Sequence, residues 1–468
     1  DNSAFQKAVN SEIYVDKTGL IKYTNRVINT MQAYVCVSRP RRFGKSMAAD
    51  MLTAYYSRGC DSRELFAGLE IAEDKNFTRY LNKYDTIFLN VQEFLSRSSN
   101  VQELLTRIKQ RVIRELARLY PDVELFDPED LAETMQDIYA ESKCPFILII
   151  DEWDCIFRVH KSDAASQKDY LDFLRNLLKD KSYIALAYMT GILPIKKYGE
   201  HSAINVFYEY SMTDASPIEE FTGFTEQEVR QLCEQYNMPF SETKKWYDGY
   251  CVDGVSIYNP KSVVEAMLRG KFSNYWTQTE TYEALKIYIQ SNEFGVQDVI
   301  LKLLAGEKEK IDTTTFSNDM VTFATKDDVL TLLVHLGYLT YNAETKEIWI
   351  PNDEVMEQFI STVKVMGWGS VVTALETSEK LLQATLSGDE QTVAELIEQA
   401  HQANASILKY NDENALSCVI SLAYYSAQKN YTLHREMPAG KGFADIVFEP
   451  NRNCNFPAMI VELKWGHS

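Results

Sequence analysis

At 468 residues and 53.8 kDa the chain exceeds what one hydrophobic core organises, so two to four domains are expected. A net charge of −19 and a pI near 4.9 disfavour nonspecific attraction to nucleic acid without excluding a local basic face, and no apolar run approaches the ~18–20 residues that span a bilayer. The eight cysteines form no C-x-x-C pair and the chain is far larger than disulfide-stapled scaffolds, which argues against a zinc site and fits reduced thiols in a cytoplasm. The chain opens on Asp1 with neither an apolar nor a basic leader, which reads as a trimmed segment rather than a secreted precursor.

The charge is uneven. Residues 1–60 carry nine basic side chains against four acidic ones, so the acid excess lies further on. Residues 33–40, AYVCVSRP, predict a short buried strand, and KSMAADMLTAYYS after it has helical spacing. A second strand is predicted over 85–94, helices around 99–120 and 128–142, and a third strand over 145–154. A helix over 170–180 and a fourth strand over 182–194 follow. Strands that are apolar throughout and alternate with helices predict a parallel sheet covered on both faces.

The pattern changes after about residue 215. Thr225 and Glu228 are spaced as a capping box at the start of a helix over 225–237. WYDGYCVDGVSIYNP, which contains Trp246, Tyr247, Tyr250 and Tyr258, reads as a packed turn between helices. Residues 326–351 predict a helix, a stop at Gly337 and two strands joined at NAET, a winged-helix-like unit. Its hairpin carries Glu344, Lys346 and Glu347 and is not basic, so packing is expected of it rather than DNA binding. Residues 353–406 read as helical with a break at 386–390.

The first candidate site is the loop VSRPRRFGKSM, residues 37–47. A loop from strand to helix aims backbone N–H groups and the positive end of a helix dipole at one point, where anions bind. Arg42, Phe43, Gly44, Lys45, Ser46 and Met47 would cradle a nucleotide. In this arrangement Lys45 neutralises phosphate oxygens and the Ser46 hydroxyl ligates Mg²⁺. The first glycine of the usual G-x-x-x-x-G-K-[ST] pattern is missing, and Arg39 stands in its place. LIIDE adds Asp151 for the metal and Glu152 to deprotonate an attacking water. The competing reading of these two acids is a helix N-terminus with charges placed for the dipole. Thr190, at the end of the fourth strand, is a sensor for phosphate or water, or a cap for the next segment.

IYVDKTGLI, RPRRFGKSM, LIIDEWD, MTGILPIKKY and FTGFTEQEV, in this order over roughly residues 1–290, resemble the bacterial family of predicted AAA-ATPase-like proteins related to STAND-type archaeal ATPases. The resemblance implies a P-loop ATPase core with ATP and Mg²⁺ as ligands, and makes Arg39 a family feature of the loop. Arg39, Arg41 and Arg42 are left with two roles, charge around the phosphates or contact with a partner. Ring-forming ATPases take an arginine from a neighbouring subunit, for which Arg158 and Arg175 are the candidates.

The second candidate site is carboxyl-terminal. GKGFADIVFEP (440–450) and AMIVELKW (458–465) are strand-like runs that bring Asp445, Glu462 and Lys464 into one cluster. Two carboxylates suit Mg²⁺ or Mn²⁺, and the lysine suits activation of water or stabilisation of developing charge. The competing reading is ordinary surface charge. The D…E-x-K pattern resembles the PD-(D/E)XK nuclease superfamily, which implies a leading helix at 410–425 with Glu413 as an additional metal-binding acid. The sequence ends at Ser468, directly after the third core strand, so this domain is expected to be unfinished.

The expected fold is therefore α/β. It comprises a P-loop NTPase parallel sheet (1–215), a helical and winged-helix-like region (216–375), and a helical lead-in with a truncated PD-(D/E)XK nuclease-like domain (376–468). The expected function is ATP binding and hydrolysis coupled to a metal-dependent nuclease-like domain acting on DNA or RNA, in the cytoplasm and without a membrane. The alternative is a nucleotide-dependent switch whose last domain binds nucleic acid or protein without cleaving.

Overall fold

The computed structural model describes residues 1–195, 204–276, 281–291, 293–318, 320–366, 369–404, 417, 420–439, 442–451 and 454–464. The chain divides into two compact units. One comprises Asp1–Trp276 with Asp312–Lys346, and the other Thr277–Ile311 with Glu347–Ser468. The elements that follow residue 215 thus stay with the first unit as far as Trp276. No helix among the described residues is long and apolar enough to cross a membrane.

The first unit is organised by a five-stranded sheet of β1 (Tyr34–Ser38), β2 (Asp85–Asn90), β3 (Phe146–Asp151), β4 (Ile184–Gly191) and β5 (Tyr208–Tyr210). The spatial order is β2-β3-β4-β1-β5 and every neighbouring pair is parallel. All six residues of β3 and all eight of β4 are buried, as expected for strands covered on both faces. The helix Lys45–Tyr56 follows β1 and packs Ala49, Leu52, Tyr55 and Tyr56 into the core that receives Ile147, Ile149 and Tyr188 from the sheet. In the helix Val101–Leu119, Val101, Leu104, Leu105, Ile108, Val112 and Leu116 repeat at the three-to-four-residue spacing of one face, and Asn100 caps its start.

The expected capping box is present: Thr225 accepts from the backbone of Glu228, whose side chain reaches back to the Thr225 N–H. The aromatic stretch after it differs from the expected turn between helices. It is a β-hairpin of Tyr250–Val252 and Val255–Tyr258, paired in turn with Phe224–Thr225. Asp253 and Gly254 both take positive φ, 47° and 80°, the geometry that Asp-Gly favours in a two-residue hairpin loop. Further on, the helix Lys326–Leu336 ends at Gly337 in the left-handed conformation, and Thr340–Asn342 is a strand.

In the second unit, Glu347–Trp349 pairs antiparallel with Glu309–Lys310. Helices Asp353–Val365, Gly369–Ser387 and Glu390–Asn404 follow, with the break where the sequence predicts it. The unit ends in an antiparallel sheet of Tyr431–Ala439, Gly442–Pro450 and Met459–Val461, in that order. The first of these strands lies outside the two read from the sequence.

Candidate nucleotide site

Residues 39–44 join β1 to the helix Lys45–Tyr56. Gly44 has φ 88°, and a Cβ added there meets nothing within 4 Å, so backbone conformation rather than space calls for glycine. Arg42 is also left-handed, at φ 71°. No acid stands in the first turn of the helix, so its free N–H groups and dipole are left uncompensated, as an anion site requires.

Lys45 is only 4% exposed and its ammonium donates to the Pro40 carbonyl at 2.9 Å. Burial pulls its pKa down, Glu152, Asp154 and Asp151 oppose the shift, and the positive charge of Arg158 adds to it. Ser46 and Met47 are exposed on the helix. Phe43 is fully buried, edge-on to Tyr250 at 5.1 Å, and its carbonyl accepts from Gly223 N–H at 2.9 Å. The Arg42 guanidinium donates to the Tyr275 carbonyl at 3.1 Å.

Three adjacent strand ends place the acids. The register sets Asn90 of β2 beside Asp151 of β3, while Thr190 of β4 lies beside Val37 of β1. Asp151 is fully buried. One carboxylate oxygen accepts from the Thr190 hydroxyl and the other from the Asn90 amide at 3.3 Å. Each oxygen keeps lone-pair capacity, so with the exposed Ser46 hydroxyl the donor set fits Mg²⁺, which favours oxygen ligands. Asp50, one helical turn beyond Ser46, is a further acid in this neighbourhood. Burial, and secondly the charge of Asp151, push its carboxyl up to about 6.

Just beyond β3 the backbone turns sharply. Glu152 adopts φ 55°, and Trp153 N–H donates to the Thr190 carbonyl at 3.0 Å. Glu152 and Asp154 both pair with Arg158 on the short helix Cys155–Val159. Asp154 is fully buried and also accepts from Ile192 and Leu193 N–H groups at 3.0 and 2.8 Å. Gly191 is required by close approach, since a Cβ there would lie 2.7 Å from the Trp153 indole nitrogen. Arg158 therefore serves its own chain's acids, with a side chain only 9% exposed, which is the wrong setting for an arginine offered to a neighbour. Arg175 is half exposed and lies 3.6 Å from Asp172.

Arg39 corrects the expectation of charge around the phosphates or contact with a partner. It is fully buried and donates to the Ser38 and Tyr210 carbonyls at 2.9 and 3.0 Å, while its Nε and Nη2 have no partner. Burial lowers its pKa to about 10. The side chain ties the exit of β1 to edge strand β5. The loop is also backed from outside: a Cβ on Gly337 would lie 2.7 Å from Cβ of Pro40, and Tyr250 donates its hydroxyl to the Gly337 carbonyl at 2.8 Å.

The carboxyl-terminal residues sit differently. Ile446 faces Val461 across the antiparallel pair, so Asp445 and Glu462 are the next residues in register. Leu463 N–H donates to the Asp445 carboxylate, and Glu462 and Lys464 are exposed. Among the described residues no group of three His, Cys, Asp or Glu side chains is arranged to hold a metal ion, and Glu413 lies outside them. His434 pairs with Glu449 at 2.8 Å.

Sequence reasoning passed over Asn90, Asp154 and Asp50 and misassigned Arg158. Asn90 carried a signal, as a polar residue ending an apolar strand beside the acidic one. The pairing of Arg158 with Glu152 had none, because a separation of six residues matches neither strand nor helix spacing.

Comparison with known proteins gives three findings. Residues 3–199, under half of the chain, match the family model AAA-ATPase_like, described as a predicted AAA-ATPase, so the amino-terminal region is AAA-ATPase-like. An "Uncharacterized protein in vnfD 5'region" of Azotobacter chroococcum mcd 1 is 25% identical over 279 residues, 57% of this chain and 51% of that protein, so the chain spans about half the length of this curated relative. Among solved structures, the ORC2 protein of Aeropyrum pernix with ADPNP and ADP is 12% identical over 76% of this chain and 98% of its own, with a TM-score of 0.32. Cdc6p from Pyrobaculum aerophilum is 12% identical over 78% and 98%, with a TM-score of 0.25, and neither score is high enough to carry an argument.

Proposed function

We propose that the first unit binds ATP with Mg²⁺ and hydrolyses it, and that this controls a carboxyl-terminal PD-(D/E)XK nuclease-like domain acting on DNA or RNA in the cytoplasm. The observation that carries the reading is that the helix opening with Lys45 and Ser46 follows β1, whose neighbour β4 carries Thr190 near its end, bonded to Asp151 at the end of β3. Lys45 leaves the Pro40 carbonyl for phosphate oxygens, and the first-turn N–H groups take the rest of the anion. Ser46 and Asp151 would hold Mg²⁺, which would supply positive charge at the phosphate oxygens. Asn90 and Thr190 fix the Asp151 carboxylate. Glu152, 23% exposed on its side chain, accepts the proton of the attacking water. In the second unit Asp445 and Glu462 would be the acids offered to Mg²⁺ or Mn²⁺, with Lys464 beside the phosphodiester.

The test is phosphate release and cleavage of labelled DNA and RNA, with and without ATP and Mg²⁺ or Mn²⁺, in the wild type, Lys45→Ala and Lys464→Ala. The proposal expects ATP-dependent cleavage that Lys464→Ala abolishes while ATP binding persists. The bond from Leu463 N–H to Asp445 favours a second reading, in which that acid holds strands together and the domain binds nucleic acid or protein without cutting. Absence of cleavage with ATP still bound selects it.

A further inference from the structure

Two buried cations share one cluster of acids here. Lys45 is held at a backbone carbonyl, and Arg158 is held by Glu152 and Asp154. They stand close enough that the charge of Arg158 disfavours protonation of Lys45. The two acids bound to Arg158 are not equivalent. Asp154 is fully buried, with the Ile192 and Leu193 N–H groups and Arg158 Nε all on one carboxylate oxygen, so Nε can stay anchored there while Nη2 leaves Glu152. Glu152 keeps about a quarter of its side chain in water, so its release does not strand a charge in a dry interior.

From this asymmetry we infer that Arg158 acts in cis at the nucleotide site: it leaves Glu152 for the terminal phosphate of bound ATP, and the departure frees Glu152 to act on water. The inference rests on the proposed ATP site. Its chemistry balances as hydrolysis: water attacks the terminal phosphorus, the bond to the bridging oxygen of ADP breaks, and Glu152 takes the water proton. A guanidinium suits the exchange because its planar fork bonds carboxylate and phosphate oxygens alike. Apart from a triphosphate, the Glu152–Arg158 pair locks the base, so idle turnover is suppressed.

The experiment compares full-length wild type, Arg158→Gln, Arg158→Lys and Lys45→Ala. Affinities for ADP and for a non-hydrolysable ATP analogue are measured by calorimetric titration with Mg²⁺, phosphate release by steady-state assay, and melting temperature as control. The expected result is that Arg158→Gln weakens the ATP analogue by about ten-fold or more, leaves ADP affinity unchanged and abolishes turnover. Arg158→Lys should keep part of the ATP preference. Equal weakening of both nucleotides with a lower melting temperature overturns the inference in favour of a structural clamp. Unchanged affinities with unchanged or raised turnover also overturn it, the raised case leaving Arg158 as a brake alone. Failure of wild type to bind either nucleotide, or binding by Lys45→Ala equal to wild type, overturns the ATP site itself and the inference with it.

Discussion

The two acidic constellations of this chain look alike as strings and differ as surroundings. Asp151 is enclosed, with a neighbour on each carboxylate oxygen, and the acids after it share a buried arginine. Among the described residues Asp445 accepts from the Leu463 backbone, and Glu462 and Lys464 are exposed. A carboxylate held by neighbours from separate strands is oriented before its ligand arrives. An outward-facing one must be organised by the ligand, with an entropic cost. The enclosed carboxylate is thus oriented by its own strands, and the open one depends on what is brought to it.

Substitutions can break this contrast. The largest effect is expected of Lys45→Ala, which should lower nucleotide affinity and turnover by about a hundred-fold or more, read by titration and phosphate release. Glu152→Gln should reduce turnover by about 10²–10⁴ while ATP still binds, because the proton acceptor is lost and Arg158, released from its pair, stays available to phosphate. Equal turnover in this variant would remove Glu152 from the mechanism. Gly337→Ala should destabilise the first unit by about 1–3 kcal/mol in chemical denaturation, since it adds a clash with Pro40 to an unfavourable φ of 87°, and nucleotide affinity should fall with it. The smallest effect sharpens the comparison most. Asp445→Asn should cost about 1 kcal/mol in the denaturation of the second unit without changing ATP turnover. Asp151→Asn should do the reverse, removing turnover with little loss of stability.

The strand–helix alternation was readable because β3 and β4 are buried along their whole length and leave unbroken apolar runs. The loop was readable because Gly44, Lys45 and Ser46 are contiguous. What escaped depends on contacts remote in sequence. Arg39 looks like a phosphate ligand until Tyr210, 171 residues away, is brought beside it. Strand β5 has three residues, too few for any periodicity to register. The hairpin at Asp253-Gly254 had a recognisable turn signal, hidden by the aromatic residues around it. The pair Glu152–Arg158 exists only because Glu152 bends the chain back with a left-handed φ, which a glutamate does not advertise.

The backing of Pro40 by Gly337 bears on where this protein can be cut. The segment that matches the family model ends at residue 199, yet the groups that brace its loop, Gly223, Tyr250, Tyr275 and Gly337, all lie beyond that point. A fragment trimmed to the matched segment would keep every letter of the motif and lose the scaffold behind it. For expression or crystallisation, the smallest piece that keeps the loop as it stands here must reach through the helix Lys326–Leu336 to Gly337.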